Sequence, residues 1–133
     1  MAMKTTTFLT FIFLTAGLIS CNEDEPKGEF TESISPIVAT ELPDNGDVNE
    51  KIIFTISHGV YNGCGHYSRH ETVIIGKEVY VTFFAKYPVD AACTYNAPVL
   101  STSYEFTPTL TGEYTFHFSQ AGGDYLLDNL LAN

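Results

Sequence analysis

The feature that most constrains the fold is a two-residue alternation of apolar and polar side chains that recurs beyond residue 33. It is clearest in the runs VYVTFFA at 79–85 and YTFHF at 114–118. Because successive side chains of a strand point to opposite faces, such alternation is typical of strands with one buried face. No long stretch has the period of an amphipathic helix. The sequence therefore predicts an all-β domain.

About seven strands are expected from this pattern and from the turn residues between the runs. They lie at 34–42, 52–58, 67–75, 79–85, 104–106, 114–118 and 125–132. Pro36 falls inside the first of them, and because proline cannot donate a ladder hydrogen bond, that strand is expected at a sheet edge. Seven short antiparallel strands in about a hundred residues match the size of an immunoglobulin-like antiparallel β-sandwich.

One stretch resembles the corner of immunoglobulin-like and fibronectin-type modules, where a strand ends, turns on glycine and enters the next strand through a tyrosine. Its residues are Tyr104, Phe106, Pro108, Gly112, Tyr114 and Phe116. The resemblance implies that Tyr114 is the corner tyrosine, with its hydroxyl bonded to nearby backbone. The chain departs from antibody-type domains because Phe116 stands where their second core cysteine lies, and because it contains no tryptophan.

Residues 1–20 are expected to be a signal peptide and not part of the fold. Lys4 is their only charged residue, and a mostly apolar run follows at 8–19. That run is too short for a bilayer, which needs about 20 apolar residues. A short basic start, an apolar centre and small residues before a cut site are typical of secretory signals.

The sequence Leu-Ile-Ser-Cys at 18–21 resembles the lipobox of bacterial lipoproteins. In that family the cysteine receives a diacylglycerol, the signal is cut before it, and its freed amine is acylated. Each buried methylene contributes about 0.8 kcal/mol, so several chains on one residue form a lasting anchor. The resemblance implies that Cys21 is the lipidated residue and that the membrane is a partner. An ordinary secreted protein with a chance cysteine is the alternative.

Residues 21–32 are expected to be the lipidated Cys21 and a disordered acidic tether, because this polar stretch cannot bury a core. Residue 22 is not Asp, the usual inner-membrane retention signal in lipoprotein sorting, so that resemblance favours the outer membrane. The acidic cluster 23–25 looks like the tag with which some two-membrane bacteria export lipoproteins to the cell surface. A solvated linker and a periplasmic location are the alternatives.

Residues 33–133 are then long enough for one domain with one core. The formal net charge of the chain is −10. Such a surface repels phosphate backbones, whose binding depends on clustered Lys and Arg. Nucleic acid is therefore excluded as a partner.

Cys64 and Cys93 are the cysteines left after lipidation of Cys21, and in an oxidising compartment they are expected to form a disulfide. A reactive or metal-bound thiolate is the alternative. The triplet at 63–65, the later Cys93 and the Tyr114 corner together look like small, mostly uncharacterised bacterial surface lipoproteins with a single immunoglobulin-like domain. That resemblance brings no known activity.

The histidines are the candidate ligands of a metal site. Cys64, His66 and His70 resemble a fragment of a zinc site, yet strand residues four apart are separated by roughly 13 Å, too far for ligands about 2 Å from one ion. His58 and His117 are the remaining candidate histidine ligands. His117 alternates with core aromatics and is expected to point to solvent.

Calcium is the other candidate metal. The carboxylates Asp44, Asp47 and Glu50 surround a turn, but their spacing does not match a calcium loop.

No nucleophile elbow and no phosphate-binding loop occurs in the sequence, so we expect neither catalysis nor a cofactor. Tyrosines expected in loops fit a binding surface, because aromatic side chains give rigid contact area. They are Tyr61, Tyr67, Tyr87 and Tyr95. The favoured hypothesis is a non-catalytic binding or adhesion module for a protein or glycan. A small metal-binding envelope protein and a structural accessory subunit of an envelope complex are the alternatives.

Overall fold

A computed structural model describes residues 28–133, so the predicted signal, Cys21 and the acidic cluster 23–25 lie outside the described residues. The described chain forms a sandwich of two β-sheets, which confirms the all-β prediction. Its nine strands are β1 (Phe30–Ser35), β2 (Ile37–Thr40), β3 (Asn45–Gly46), β4 (Ile52–Gly59), β5 (His66–Ile75), β6 (Glu78–Pro88), β7 (Val99–Phe106), β8 (Gly112–Ser119) and β9 (Tyr125–Ala132). Across residues 28–133 no helix is long and apolar enough to cross a membrane.

The first predicted strand, 34–42, is divided between the two sheets. β1 pairs with β6 in the larger sheet, whereas β2 pairs with β4 in the smaller one. Pro36 lies between them, and because it has no N–H to offer a ladder, the chain changes sheets at this residue. β2 is an edge strand, as Pro36 suggested. β1 already begins at Phe30, ahead of the domain boundary expected at residue 33.

The two sheets differ in size. The smaller has the order β2, β4, β7, and the larger runs from β5 through β6 to β8, β9 and β3, with β1 also paired to β6. β6, eleven residues long, is the axis of the larger sheet. One of its edges pairs with β5, and the other is shared by β8, parallel to 78–81, and β1, antiparallel to 83–88.

The core between the sheets is built from the positions that the alternation predicted. The residues Val79, Val81, Phe83 and Ala85 of β6 are all buried. Aromatic rings also pack in this core and meet largely edge to face, the arrangement favoured by their quadrupoles. Each fully buried side chain of this kind stabilises the fold by roughly 1.5–3 kcal/mol.

Two connections brace the sandwich at its ends. The Tyr114 hydroxyl accepts hydrogen bonds from the backbone N–H groups of Thr109 (3.2 Å) and Leu110 (3.0 Å), the geometry expected of a corner tyrosine. The predicted disulfide is confirmed: Cys64 is bonded to Cys93, with their Cα atoms 5.4 Å apart. It ties the loop after β4 to the loop after β6.

Candidate functional site

A cleft of about 370 Å³ opens on the outer face of the larger sheet. Its walls come from Ile34 and Pro36 at the end of β1, from Thr82 of β6, from Ser119 and the turn 120–124 after β8, and from Tyr125 at the start of β9. We call it the seam cleft, because it lies where β1 and β8 meet along β6.

The pairing of the strands explains why a gap exists there. Ser35, the last residue of β1, pairs with Phe83, while Phe118 near the end of β8 pairs with Val81. The C-terminal ends of the two strands therefore meet head to head on either side of Thr82. Neither strand pairs with Thr82, so a gap in the sheet remains at the junction.

The turn that forms one wall is fixed to both sheets. The Gln120 backbone N–H donates to the Asp124 carbonyl oxygen (2.8 Å), and the Gln120 side-chain Nε2 donates to the Ile37 carbonyl oxygen in β2 (3.2 Å). Gly122 and Gly123 have φ of 75° and 82°, values that glycine adopts without steric cost. The wall is thus held in place without a ligand.

Hydroxyl groups line the floor. Thr82 Oγ1 and Ser119 Oγ lie 2.8 Å apart and share one hydrogen bond across the seam. Each hydroxyl has one donor and two acceptor lone pairs, so the pair keeps one donor and further acceptors for a ligand.

Tyr125, which lines the cleft, belongs to an aromatic cluster with Tyr80 and His117. Tyr80 stacks on His117 at 4.4 Å and 12°, and both meet the Tyr125 ring nearly edge-on, at 5.9 Å and 5.8 Å. Glu78 Oε2 lies 2.6 Å from His117 Nε2 and holds the imidazole. Tyr125 remains 48% exposed, so part of a ring held by two neighbours is accessible to a ligand.

The charge of the lining is acidic. Asp124 supplies a carboxylate, and among the described residues that form the cleft none is Lys or Arg. An anionic ligand would find no cation to neutralise it here, and it would be repelled by Asp124. The lining suits a neutral or cationic ligand that offers hydrogen-bond donors.

A smaller apolar groove of about 140 Å³ adjoins the cleft and shares Ile34 and Pro36 with it. Tyr61 forms its far side and stacks on Tyr87 with ring centroids 3.7 Å apart. The Tyr87 hydroxyl accepts a hydrogen bond from the Tyr61 backbone N–H (3.1 Å). Tyr61 is exposed whereas Tyr87 is buried, so Tyr87 serves as support for the outer ring.

The four tyrosines expected on a loop surface are separated by the structure. Tyr67 and Tyr87 belong to strands β5 and β6 and not to loops. Tyr67 packs against the core, and its hydroxyl lies 2.6 Å from His70 Nδ1. Tyr61 and Tyr95 are exposed, but only Tyr61 adjoins the seam cleft.

The metal candidates are dispersed. Within residues 28–133, no three His, Cys, Asp or Glu side chains are grouped so that they could hold a metal ion. Cys64 is in the disulfide, and His70 contacts Tyr67 while His66 is exposed on β5. In the acidic turn, the Glu50 N–H donates to the Asp47 carbonyl oxygen (3.2 Å), which is an ordinary turn contact.

His117 does not point freely into solvent as the alternation suggested. Its side chain is only 20% exposed, because the rings of Tyr80 and Tyr125 cover it on the outer face. Outer-face aromatics on neighbouring strands can thus shelter a residue that faces away from the core.

His58 forms a buried hydrogen-bonded chain that the sequence did not reveal as such. Its Nδ1 lies 2.7 Å from Ser35 Oγ, and its Nε2 lies 2.8 Å from Thr102 Oγ1. Burial lowers the pKa of His58 below its usual range. A serine beside a histidine resembles a nucleophile and its base, but Ser35 and His58 are both fully buried, so no substrate reaches them. The chain of contacts is structural.

Comparisons with family models, with curated proteins and with solved structures give no match for this chain.

Proposed function

We propose that this protein is a non-catalytic binding module, anchored to the outer membrane through lipid on Cys21, which binds its ligand in the seam cleft. The single observation that carries the binding role is the cleft itself. It combines an exposed aromatic ring with hydroxyl, carboxamide and carboxylate groups in about 370 Å³. Preformed concave sites with a few polar groups are where proteins bind small ligands.

The architecture is compatible with display away from the membrane. Only residues 22–29 separate Cys21 from the first residue of β1, Phe30. The tether therefore enters at the N-terminal end of β1, whereas the seam cleft lies at its C-terminal end. The seam cleft is therefore separated from the membrane attachment by the length of β1, which leaves it accessible to a ligand.

The proposed lipid anchoring to the membrane is tested by replacing Cys21 with Ala. The thioether can form only on that sulfur, so we expect the variant to lose palmitate label and to leave the membrane fraction. Protease shaving of whole cells that carry the parent chain would report surface exposure. Unchanged labelling and fractionation of the variant would contradict the lipid anchor.

The proposed binding role is tested with two exposed isoleucines in matched settings. Ile34 lines both the seam cleft and the adjoining groove, whereas Ile53 lies on the outer face of the other sheet. They are 53% and 60% exposed, so an Asp at either position should be tolerated by the fold. We expect fluorescently labelled chain beginning at Asn22 to bind cells of the source strain. Ile34→Asp should abolish that binding, and Ile53→Asp should preserve it.

Equal binding by the two variants would exclude the cleft as the site. Catalysis is not part of the proposal, since the one serine and histidine pair described above is sealed in the core. For the metal-binding alternative, elemental analysis of the same chain is the direct test, and we expect no stoichiometric zinc or calcium.

A specific observation favours the structural-subunit alternative. β5 is an edge strand that pairs only with β6 among the described strands, and Val73, Ile74 and Ile75 on it are exposed. Unpaired, apolar edge strands accept a further strand from another chain. Light scattering across a concentration series would distinguish this role, because strand addition between copies gives a mass that rises with concentration.

A further inference from the structure

We infer that the ligand of the seam cleft is a neutral carbohydrate, one or two sugar rings of a glycan, with one ring stacked on Tyr125 and its hydroxyls bonded to Asp124. This inference rests on the proposed binding function and names its ligand class. It follows from the size of the cleft, the exposure of its aromatic ring and the balance of donors and acceptors in its walls.

The size limits the ligand. The volume of about 370 Å³ lies near the lower end of the range for small-molecule sites, about 300–1,000 Å³. A folded domain or a helix cannot enter such a space. A short oligosaccharide end can, and a longer chain could continue over Ile34 toward the groove beside Tyr61.

The aromatic ring supplies the apolar contact that sugars require. One face of a pyranose presents several C–H groups, which carry partial positive charge and pack on the electron-rich face of an aromatic ring. Tyr80 and His117 pack against Tyr125 at interplanar angles of 78° and 90°, and 48% of the residue remains exposed for contact with a sugar. Because these contacts already fix the ring, little side-chain entropy is lost when a sugar stacks on it.

The polar walls favour a ligand rich in O–H donors. The Asp124 carboxylate only accepts hydrogen bonds and can receive two neighbouring hydroxyls at once. Gln120, which also lines the cleft, donates from Nε2 to the Ile37 carbonyl, so its Oε1 remains as an acceptor. Thr82 and Ser119 add hydroxyls that donate or accept. Acceptors dominate this set, and a polyhydroxylated ligand matches it.

The charge of the site separates neutral from acidic glycans. Sialic acids, uronic acids and phosphorylated sugars carry an anion that the cleft would hold beside Asp124 without any Lys or Arg among its described lining residues. The formal net charge of −10 adds a long-range repulsion of the same sign. Neutral hexose and N-acetylhexosamine chains avoid both penalties.

The test is a glycan array that holds neutral and acidic oligosaccharides, followed by calorimetric titration of each hit into the chain from Asn22. We expect neutral oligosaccharides to bind. Tyr125→Ala should weaken binding about tenfold, as loss of one aromatic contact implies. Tyr125→Phe should retain most of the affinity, and Asp124→Asn should weaken it while leaving stacking intact.

Leu127 gives the matched control. It lies two residues along β9 on the same outer face, is 61% exposed and is not part of the cleft, so Leu127→Ala should bind as the parent does. Because Tyr125 and Leu127 are both on the surface, each variant should fold, and the thermal midpoints of the two variants check this directly.

Several outcomes would overturn the inference. They are the absence of any glycan hit, hits confined to acidic glycans, and equal affinity of Tyr125→Ala and Leu127→Ala for a neutral glycan. If Ile34→Asp nevertheless loses cell binding, the carbohydrate assignment fails while the binding function stands. If protease treatment of the cells then removes the binding of the parent chain, the ligand is a protein.

Discussion

The free energy of unfolding should fall as the pH is lowered through the ordinary titration range of histidine, because His58 is buried as the neutral form. Ser35 Oγ donates to the Gly59 carbonyl oxygen, so it accepts a hydrogen bond from Nδ1–H of His58. His58 Nε2 then accepts from the Thr102 hydroxyl. A second proton on the ring would confront a hydroxyl hydrogen that already points at Nε2, on a side chain that is itself buried.

The magnitude follows from linkage. The unfolded chain protonates His58 near its usual pKa of about 6.5, whereas burial lowers the pKa of the folded chain. Above the unfolded pKa both states are neutral, and the stability is fully present. Below it only the unfolded chain binds the proton, so stability is lost at up to about 1.4 kcal/mol per pH unit until the folded pKa is reached. Domains of this size are stable by only about 5–15 kcal/mol.

The assay is urea unfolding of the parent and of His58→Gln at about pH 7.5, 6.5 and 5.5. Glutamine keeps one donor group and one acceptor for the two hydroxyls but does not titrate. The other histidines, His66, His70 and His117, are present in both proteins, so the difference between the two pH profiles isolates His58. Parallel profiles between about pH 6.5 and 5.5 would refute the reasoning.

Two further predictions concern the braces of the sandwich. Replacing both Cys64 and Cys93 by Ser should lower the free energy of unfolding by roughly 3–4 kcal/mol, and each single replacement should cost about as much, since the bond is one shared interaction. Urea titrations measure this, and a reductant that leaves the parent unchanged would argue against a stabilising bridge. Tyr114→Phe removes the acceptor of two backbone N–H groups and should cost about 1–3 kcal/mol; an unchanged thermal midpoint would exclude a role for the corner.

Local periodicity was enough to predict most of the strands, because a buried face repeats every second residue whatever its partner. This repeat alone places the following residues inward: Val79, Val81, Phe83 and Ala85 of β6, and Tyr114, Phe116 and Phe118 of β8. Local periodicity does not predict the change of sheet at Pro36. Its missing N–H predicts a strand at a sheet edge. The same missing N–H also allows the chain to stop pairing with β6 and to begin pairing with β4. Which of the two outcomes occurs depends on strands that are distant in sequence.

Most of the seam cleft could not be predicted from local sequence patterns, because it depends on which strands pair with the same edge of β6. Tyr125 reads as the start of a strand and Tyr80 as an outward position of another, and nothing local brings their rings together. His58 is different. It continues the inward series of Phe54 and Ile56, so its burial could have been predicted from parity, although its hydroxyl partners could not.

The same topology that opens the seam cleft also makes it rigid. β6 is too long for either β1 or β8 to cover its second edge, so two strands share it and a gap remains at Thr82. The gap is bridged by the hydroxyl pair of Thr82 and Ser119, and its outer wall is bonded through Gln120 to β2 of the opposite sheet. Because its wall is hydrogen-bonded to the opposite sheet as well as joined to its own, the site cannot relax without disturbing both sheets. Its ligand would therefore bind with little ordering of the protein, which is the condition under which a small polar cleft can hold a weakly apolar molecule such as a sugar.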